Sequence, residues 1–307
     1  MKADARDVPV PAHRGQPLQL AFTMDDLPLW PQADPPAGHT ASGIVAAICR
    51  ALSDNGITGV YAFSNSWPLD RDPALSRILD DWLADGHHLA NHTHGHIQLP
   101  DVTAAAFIAD IDRAADRLAP WLAEAPLSLF RHPLCHWGET DAKRATVNDH
   151  LHRRGLTPVD VTSWAYEWVW NRAWLAAREA GDRAAERFVF DSFLEFVVAQ
   201  HRHDSAAAQD WFGESRPSIA LGHNVAFFAE IAHDYFATLT CAGVAFVPLA
   251  AAIGGAQQAA VGSVTSGSFL VLQQKLAEAA GTPLPRIAPE VAHLHARIAE
   301  MAGDRRD

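Results

Sequence analysis

Three histidines occupy the stretch 90–96, and two of them, His92 and His96, stand four residues apart. On one turn of helix, or in a tight turn leading into one, this spacing places both imidazoles on one side, about 5–6 Å apart at Cβ. Two neutral imidazoles at that separation can share one divalent cation such as zinc. Because two ligands do not complete such a site, a third ligand has to come from another part of the chain.

The expected third ligand lies upstream, where Asp25 and Asp26 follow the hydrophobic run 18–22. Taken alone, two adjacent aspartates after a strand more often form a solvated turn or cap a helix. Here both the aspartates and the histidines are expected at strand ends, and the catalytic groups of α/β folds collect at the carboxyl ends of strands. The combination therefore predicts a metal site of two histidines and one carboxylate.

These groups have to be positioned by strands, and strand and helix patterns alternate along the chain. This alternation favours parallel strands joined by helical crossovers. The predicted strands are 18–23, 59–63, 87–91, 127–131, 157–162, 217–223 and 243–247. They predict a distorted (β/α)7 barrel of mainly parallel strands, with an open doubly wound sheet as the alternative.

Three parts of the chain differ in character. Residues 1–16 are expected to form a polar N-terminal arm, and 17–250 the barrel domain. Residues 251–307 are expected to form a linker rich in glycine, alanine and serine, followed by a helical C-terminal extension. Within the barrel domain, 169–211 lacks strand signals and is expected to be a helical insertion. We expect the insertion and the extension to pack around the barrel and to shape or cover the mouth of the site.

Composition excludes several classes of function. The chain has 307 residues, with 24 basic and 36 acidic side chains, and its formal charge of −12 argues against a nucleic-acid partner. Its sequence contains no apolar run long enough to span a membrane. The start at Met1 shows no signal peptide, which predicts a cytoplasmic protein, or an exported one whose signal peptide has been removed. The three cysteines, Cys49, Cys135 and Cys241, predict neither a disulfide framework nor a cysteine-type zinc site.

Further motifs stand at or between the ends of the later predicted strands. They are Arg131-His132-Pro133, Trp164-Ala165-Tyr166-Glu167-Trp168 and Leu221-Gly222-His223. Together with the aspartate pair and the histidine stretch, they resemble the motifs of the polysaccharide deacetylase family, the carbohydrate esterases with a NodB-homology domain. The resemblance runs from about Leu18 to Leu249 and leaves the C-terminal tail outside it.

The resemblance implies one divalent metal ion, with Asp26, His92 and His96 as its ligands. Zinc is the expected ion, and cobalt, manganese and nickel are alternatives. A site of two histidines and one carboxylate leaves open positions on the ion, and metal binding can lower the pKa of water to about 7. Metal-bound water is therefore the expected nucleophile.

The resemblance also implies which groups transfer protons. Asp25 would be the general base, Arg131 would hold Asp25 and keep it ionised, and His223 would be the general acid that protonates the leaving amine. In an extended segment, neighbouring side chains point to opposite sides. At a strand end that turns into a loop, Asp25 and Asp26 can both reach the pocket by different routes.

Two departures from the family pattern bear on the substrate. Leu27 replaces the glycine of the first motif. In the fourth motif, Trp164 and Glu167 replace two aspartates, and Asp160 is an alternative source of the missing carboxylate. The residues expected to contact the substrate are Trp164, Glu167, Trp168 and Pro133.

The residues together predict a metal-dependent hydrolase of amide C–N bonds. The leading hypothesis is removal of an acetyl group from an N-acetylated sugar or glycan. A second hypothesis uses the same site on a small amide, a cyclic imide or an N-formyl group. The third, suggested by the altered fourth motif, is a carbohydrate-binding protein that has kept the site but lost turnover.

Overall fold

A computed structural model of the chain describes residues 17–303. The arm predicted for 1–16 lies outside the described residues, as do residues 304–307. Within 17–303 one sheet holds eight strands. They are β1 (Gln19–Leu27), β2 (Tyr61–Ser64), β3 (His88–Asn91), β4 (Leu129–Phe130), β5 (Thr157–Pro158), β6 (Ser163–Trp164), β7 (Ser218–His223) and β8 (Ala245–Phe246).

Helices connect the strands and cover the outside of the sheet. Those of the described residues are α1 (Ala41–Asp54), α2 (Pro68–Arg71), α3 (Ser76–Ala84), α4 (Ala104–Arg117), α5 (Ala119–Leu122), α6 (Asp141–Arg153), α7 (Glu167–Glu179), α8 (Arg183–Phe212), α9 (Ala226–Cys241), α10 (Leu249–Ala252), α11 (Gly255–Ala260), α12 (Leu272–Ala279) and α13 (Ala292–Met301). Within 17–303, no helix is both long enough and apolar enough to cross a membrane.

The sheet is parallel and curled. Its order is β5-β4-β3-β2-β1-β7-β6, with β8 pairing beside β1, and each of these pairs is parallel. Residues 159–162 connect the two edge strands, β5 and β6, and form backbone hydrogen bonds with β4 at one end and with β7 at the other. Val159 N donates to Phe130 O at 2.8 Å and Thr162 N donates to Ile219 O at 3.0 Å. This half-barrel confirms the expected distorted (β/α)7 architecture.

The predicted fifth strand, 157–162, is wrong in its bounds. It divides into β5, which pairs with β4, and β6, which pairs with β7 and extends to Trp164. Between them Asp160 Oδ1 accepts a hydrogen bond from the backbone N–H of Val161 at 2.8 Å. A short polar side chain that bonds to its neighbouring backbone favours a bend over a continuous ladder.

β1 is an interior strand paired with β2, β7 and β8, and all of its residues from Leu20 to Leu27 are buried. Side chains alternate along it, so that Leu20, Phe22 and Met24 join the main core with α1 and α9, whereas Ala21 faces a second cluster inside the barrel. Leu27, which replaces the glycine of the first motif, is fully buried in the main core. The polar residues of β1 are therefore buried as well, and they need partners from other strands.

The segments outside the strand pattern are largely helical. The stretch 169–211 forms most of α7 and α8, which are separated by a turn at Gly181 with φ of 67°. The segment 251–267, expected to be a linker, contains α11 and pairs with the barrel through a bridge between Ser266 and Gly138. The division of the chain into a barrel domain and an extension stays a prediction.

Candidate active site

The carboxyl ends of β1, β3, β4 and β7 meet at one edge of the barrel. Because these strands are parallel, the residues at their ends converge there, and the ladder between β1 and β7 sets Asp25 opposite His223. A single pocket at this edge contains most of the predicted site residues. Its lining residues are Asp25, Asp26, Trp30, Gln32, His92, His96, Leu134, Cys135, Trp164, Trp168, Leu221, His223 and Phe269.

Asp25 and Asp26 both reach the pocket because β1 is irregular between them. Side chains of adjacent residues in a regular strand point to opposite faces. Here the register with β2 shifts between Asp25 and Leu27, and Asp26 has φ of 70°. Such an irregularity re-aims a side chain, and a non-glycine residue at positive φ is strained, a feature that clusters at functional sites.

The three predicted metal ligands lie together. Ligand atoms of Asp26, His92 and His96 all fall within 4.8 Å of one another, and Asp26 Oδ1 lies 3.3 Å from Nε2 of His96 and 3.8 Å from Nε2 of His92. Residues 92–96 form an irregular turn, with positive φ at Thr93 and His96. The turn brings the two imidazole centroids to 5.2 Å. This buried group could therefore bind a metal ion.

Burial favours the neutral forms of His92 and His96 and disfavours the ionised form of Asp26. His92 Nδ1 donates to the carbonyl oxygen of Arg131 at 2.8 Å, which leaves its Nε2 lone pair directed toward the site. Burial, together with the neighbouring His96, lowers the pKa of His92 well below its usual value, and burial lowers that of His96 to about 4. Burial raises the pKa of Asp26 to about 8, and Asp25 and Glu167 add to this while His223 opposes it.

Asp25 is held by a cation inside the barrel. Arg131 Nη1 donates to Asp25 Oδ1 at 2.6 Å and to Thr23 Oγ1 at 3.0 Å. Nε of the same guanidinium donates to Val159 O, and its carbon lies 3.8 Å from the centre of the Phe63 ring. This arrangement fixes Oδ1 of Asp25, while its Oδ2 lies 3.6 Å from Nε2 of His92.

His223 is paired with Glu167 of the fourth motif. Glu167 begins α7 and accepts a hydrogen bond from Nδ1 of His223. It is buried beside the histidine and is not among the described residues that line the pocket, and its contact with substrate stays a prediction. Burial alone would lower the pKa of His223, but the charge and hydrogen bond of Glu167, with Asp26 and Asp25, raise it above its usual value.

The alternative carboxylate, Asp160, has a different partner. Its Oδ2 forms a buried ion pair with Lys275 of α12, and its Oδ1 accepts from the backbone of Val161. Asp160 therefore does not replace Glu167 beside His223.

The mouth of the pocket is aromatic. Trp164 and Trp168, which are expected to contact substrate, both line the pocket, and the ring centroids of Trp168 and His223 are 5.7 Å apart. Pro133, also expected to contact substrate, is buried, and the two residues that follow it, Leu134 and Cys135, line the pocket. The contact of Pro133 with substrate stays a prediction.

Two further wall residues, Trp30 and Phe269, were not found from the sequence. The ring of Trp30 packs edge-on against His223, with centroids 4.8 Å apart, and its position shortly after the aspartate motif is a signal that could have been used. Phe269 packs against Trp164 with centroids 4.2 Å apart. It lies in the tail outside the family resemblance, so no motif indicated it.

Comparison with known proteins confirms the resemblance to the polysaccharide deacetylase family. Residues 14–150 match the family model described as polysaccharide deacetylase. The matched range contains the aspartate, histidine and arginine motifs and ends before Glu167 and His223. No curated protein matches the chain.

Solved structures share the fold at low sequence identity. A CE4 family pseudoenzyme from Bacillus anthracis is 10% identical over 75% of this chain and 64% of its own, with a TM-score of 0.50. A mutant of a CE4 family pseudoenzyme with restored enzymatic activity is 11% identical over 77% of this chain and 67% of its own, with a TM-score of 0.51. A family 4 carbohydrate esterase from Streptomyces lividans is 19% identical over 75% of this chain and 91% of its own, with a TM-score of 0.47.

The pairing of Glu167 with His223 predicts a change in pH dependence. A raised pKa keeps His223 protonated to higher pH, so a reaction that needs the acid form should lose rate only as pH rises through that pKa. Glu167→Gln removes the negative charge, so the pKa of His223 should fall and the basic limb of the kcat profile should move to lower pH. Titration of the His223 ring by NMR measures the same shift independently of turnover. As a control, Glu300→Gln changes an exposed carboxylate and should leave the kcat profile and the His223 titration unchanged. If the His223 titration does not move in the Glu167 variant, Glu167 does not raise the pKa of His223.

Proposed function

We propose that the protein is a metal-dependent N-deacetylase that removes an acetyl group from an N-acetylated sugar or glycan. The observation that carries the proposal is the grouping in one pocket of an Asp–His–His donor set, a carboxylate tied to Arg131 and a histidine paired with Glu167. The match to the polysaccharide deacetylase family supports the same reaction class.

The donor set fits a divalent cation. Asp26 Oδ1 is buried and has no hydrogen-bond partner within residues 17–303, although an unpaired buried carboxylate is costly. The lowered pKa values of His92 and His96 supply neutral imidazoles, the form that binds metal. Two imidazoles and one carboxylate suit zinc, and cobalt, manganese or nickel are alternatives. When bound, such an ion lowers the pKa of a water molecule and polarises the acyl carbonyl.

Asp25 serves as the general base in this proposal. Its Oδ1 is engaged by Arg131, so Oδ2, on the side of His92, is the atom that takes the proton as water attacks the carbonyl carbon. Because Arg131 is also bonded to Thr23 and Val159, the base is held in one position before substrate binds.

His223 serves as the general acid. Glu167 accepts from Nδ1, so Nε2 is the nitrogen that gives a proton to the leaving amine as the C–N bond breaks. The products are the free amine and acetic acid, which ionises to acetate; one proton of the water is left on Asp25, and His223 is left neutral. The altered fourth motif had suggested loss of turnover. Glu167 supplies a carboxylate within that motif, so the histidine still has an acidic partner.

Release of acetate tests the function directly. Protein loaded with zinc should release acetate from N-acetylated sugars, chelation should abolish the release, and added zinc or cobalt should restore it. The panel should include small linear amides, cyclic imides and N-formyl compounds, with formate and ammonia measured beside acetate. Turnover confined to those compounds would replace the glycan substrate with the small-amide alternative. Sugar binding without turnover of any compound would support the carbohydrate-binding alternative.

Asp25 and Asp26 should respond differently to the same conservative change. Asp25→Asn removes the proton acceptor but leaves the ligands, so metal content should stay while kcat falls by about 10²–10⁴. Asp26→Asn replaces an anionic ligand by a neutral one, so metal affinity should fall first and excess metal should restore part of the activity. Elemental analysis and rates on both variants decide the matter. Loss of metal in the Asp25 variant, with metal and a metal-insensitive low rate in the Asp26 variant, would reverse the roles.

A further inference from the structure

The reacting groups lie in an enclosed pocket. Side-chain exposure is 2% for Asp26, 1% for His92 and 12% for His96, and 5% for Asp25 and 8% for His223. A substrate must therefore pass the pocket wall before its acyl group reaches these atoms.

Aromatic rings make up much of that wall. Trp30, Trp164, Trp168 and Phe269 all line the pocket, and Phe269 packs against Trp164 and Trp168 with centroids 4.2 and 5.2 Å away. The indole N–H of Trp164 is buried and has no partner among the residues that the structure describes. A wall of this kind offers flat apolar faces against which one sugar ring can pack.

Phe269 comes from the C-terminal tail, and the chain is fixed to the barrel ahead of it. Ser266 forms a two-way backbone bridge with Gly138, with N···O distances of 2.8 and 3.1 Å. Gly138 lies beyond the arginine motif, close in sequence to the pocket residues Leu134 and Cys135.

The chain is also fixed after Phe269. Leu272 N donates to Val161 O at 2.8 Å, and Gln273 Nε2 donates to Thr162 O at 2.9 Å. Lys275 then forms a buried ion pair with Asp160, where both side chains are 1% exposed. Phe269 is thus held between anchors on both sides, and they join the tail to residues 160–162 at the junction of the sheet edges.

We propose that this tail restricts the pocket to a short N-acetylated sugar, or to the terminal unit of a longer one, and that Phe269 is the specificity-determining residue. The inference rests on the proposed deacetylase function. An internal unit of a glycan carries neighbours on both sides and needs an open groove across the reacting atoms. Here those atoms are buried under aromatic rings, so an acyl group and one ring have to enter end-on.

The experiment compares N-acetylglucosamine with its hexamer. Wild-type protein should deacetylate the monomer, and mass spectrometry should place any acetate loss from the hexamer at a chain end. Phe269→Ala should open the wall, expose internal units to deacetylation and raise the hexamer-to-monomer ratio of kcat/KM by about tenfold or more. Phe269→Trp, which keeps an aromatic wall, should retain the wild-type pattern.

Phe188→Ala is a matched control. Phe188 of α8 packs against Arg297 of α13, so it also contacts the C-terminal tail. It is not among the described residues that line the pocket. Its truncation should leave the chain-length preference unchanged. A similar change in this control would assign the effect to general loosening of the tail and overturn the role of Phe269.

Binding is measured separately, so that failure of catalysis can be distinguished. In the Asp25→Asn background, calorimetry should show tighter binding of the monomer than of the hexamer. Adding Phe269→Ala should reduce this difference in affinity. If no compound is turned over but this binding pattern holds, the deacetylase function is wrong and the size restriction stands. The restriction is overturned if wild type removes acetate from internal units, if Phe269→Ala changes neither pattern, or if neither sugar binds.

Discussion

The irregularity of β1 at Asp26 is the constraint on which the site depends. A regular strand would point Asp25 and Asp26 to opposite faces, but the register shift and the positive φ of 70° at Asp26 bring both carboxylates into one pocket. A strained residue costs of order 1–3 kcal/mol and persists only where its surroundings determine it. Here β1 is clamped between β2 and β7, and Asn224 donates to the carbonyl oxygen of Asp26 at 3.2 Å.

Once together, the two carboxylates have different surroundings. Asp25 accepts a hydrogen bond from Arg131, whereas Asp26 Oδ1 has no hydrogen-bond partner in the described part of the chain, and burial raises the pKa of the Asp26 carboxyl to about 8. Environment separates the roles of paired carboxylates in other active sites in the same manner. The Asp26 carboxyl and the two neutral imidazoles form a donor set suited to a cation, whereas the Asp25 carboxylate, bound to Arg131, is left to accept a proton in the proposed reaction. Glu167 raises the pKa of His223, so the proposed general base and the proposed general acid lie in the same pocket.

The sequence predicts what depends on local pattern and parallel topology. The residues that the sequence placed in one site all lie at or just after the carboxyl ends of predicted strands: Asp25, Asp26, His92, His96, Arg131 and His223. Adjacent parallel strands bring these ends together irrespective of the structure of the segments that connect them. It does not predict contacts set by packing between distant segments. Asp160 was considered for the active site, but its partner is Lys275, 115 residues away in the sequence. The bend at Asp160 also separates β5 from β6, which the hydrophobic pattern had predicted as one strand. Phe269 reaches the pocket only through the path of the tail.

The central claim is that Asp26, His92 and His96 hold one metal ion. Anomalous scattering from crystals grown with zinc, recorded on both sides of the zinc absorption edge, tests it most directly. The account predicts a single strong peak per chain in this pocket, about 2.0–2.2 Å from one oxygen of Asp26 and from Nε2 of both histidines. A pocket without a peak in zinc-saturated crystals, or an ion bound by Asp25 in place of Asp26, would contradict it.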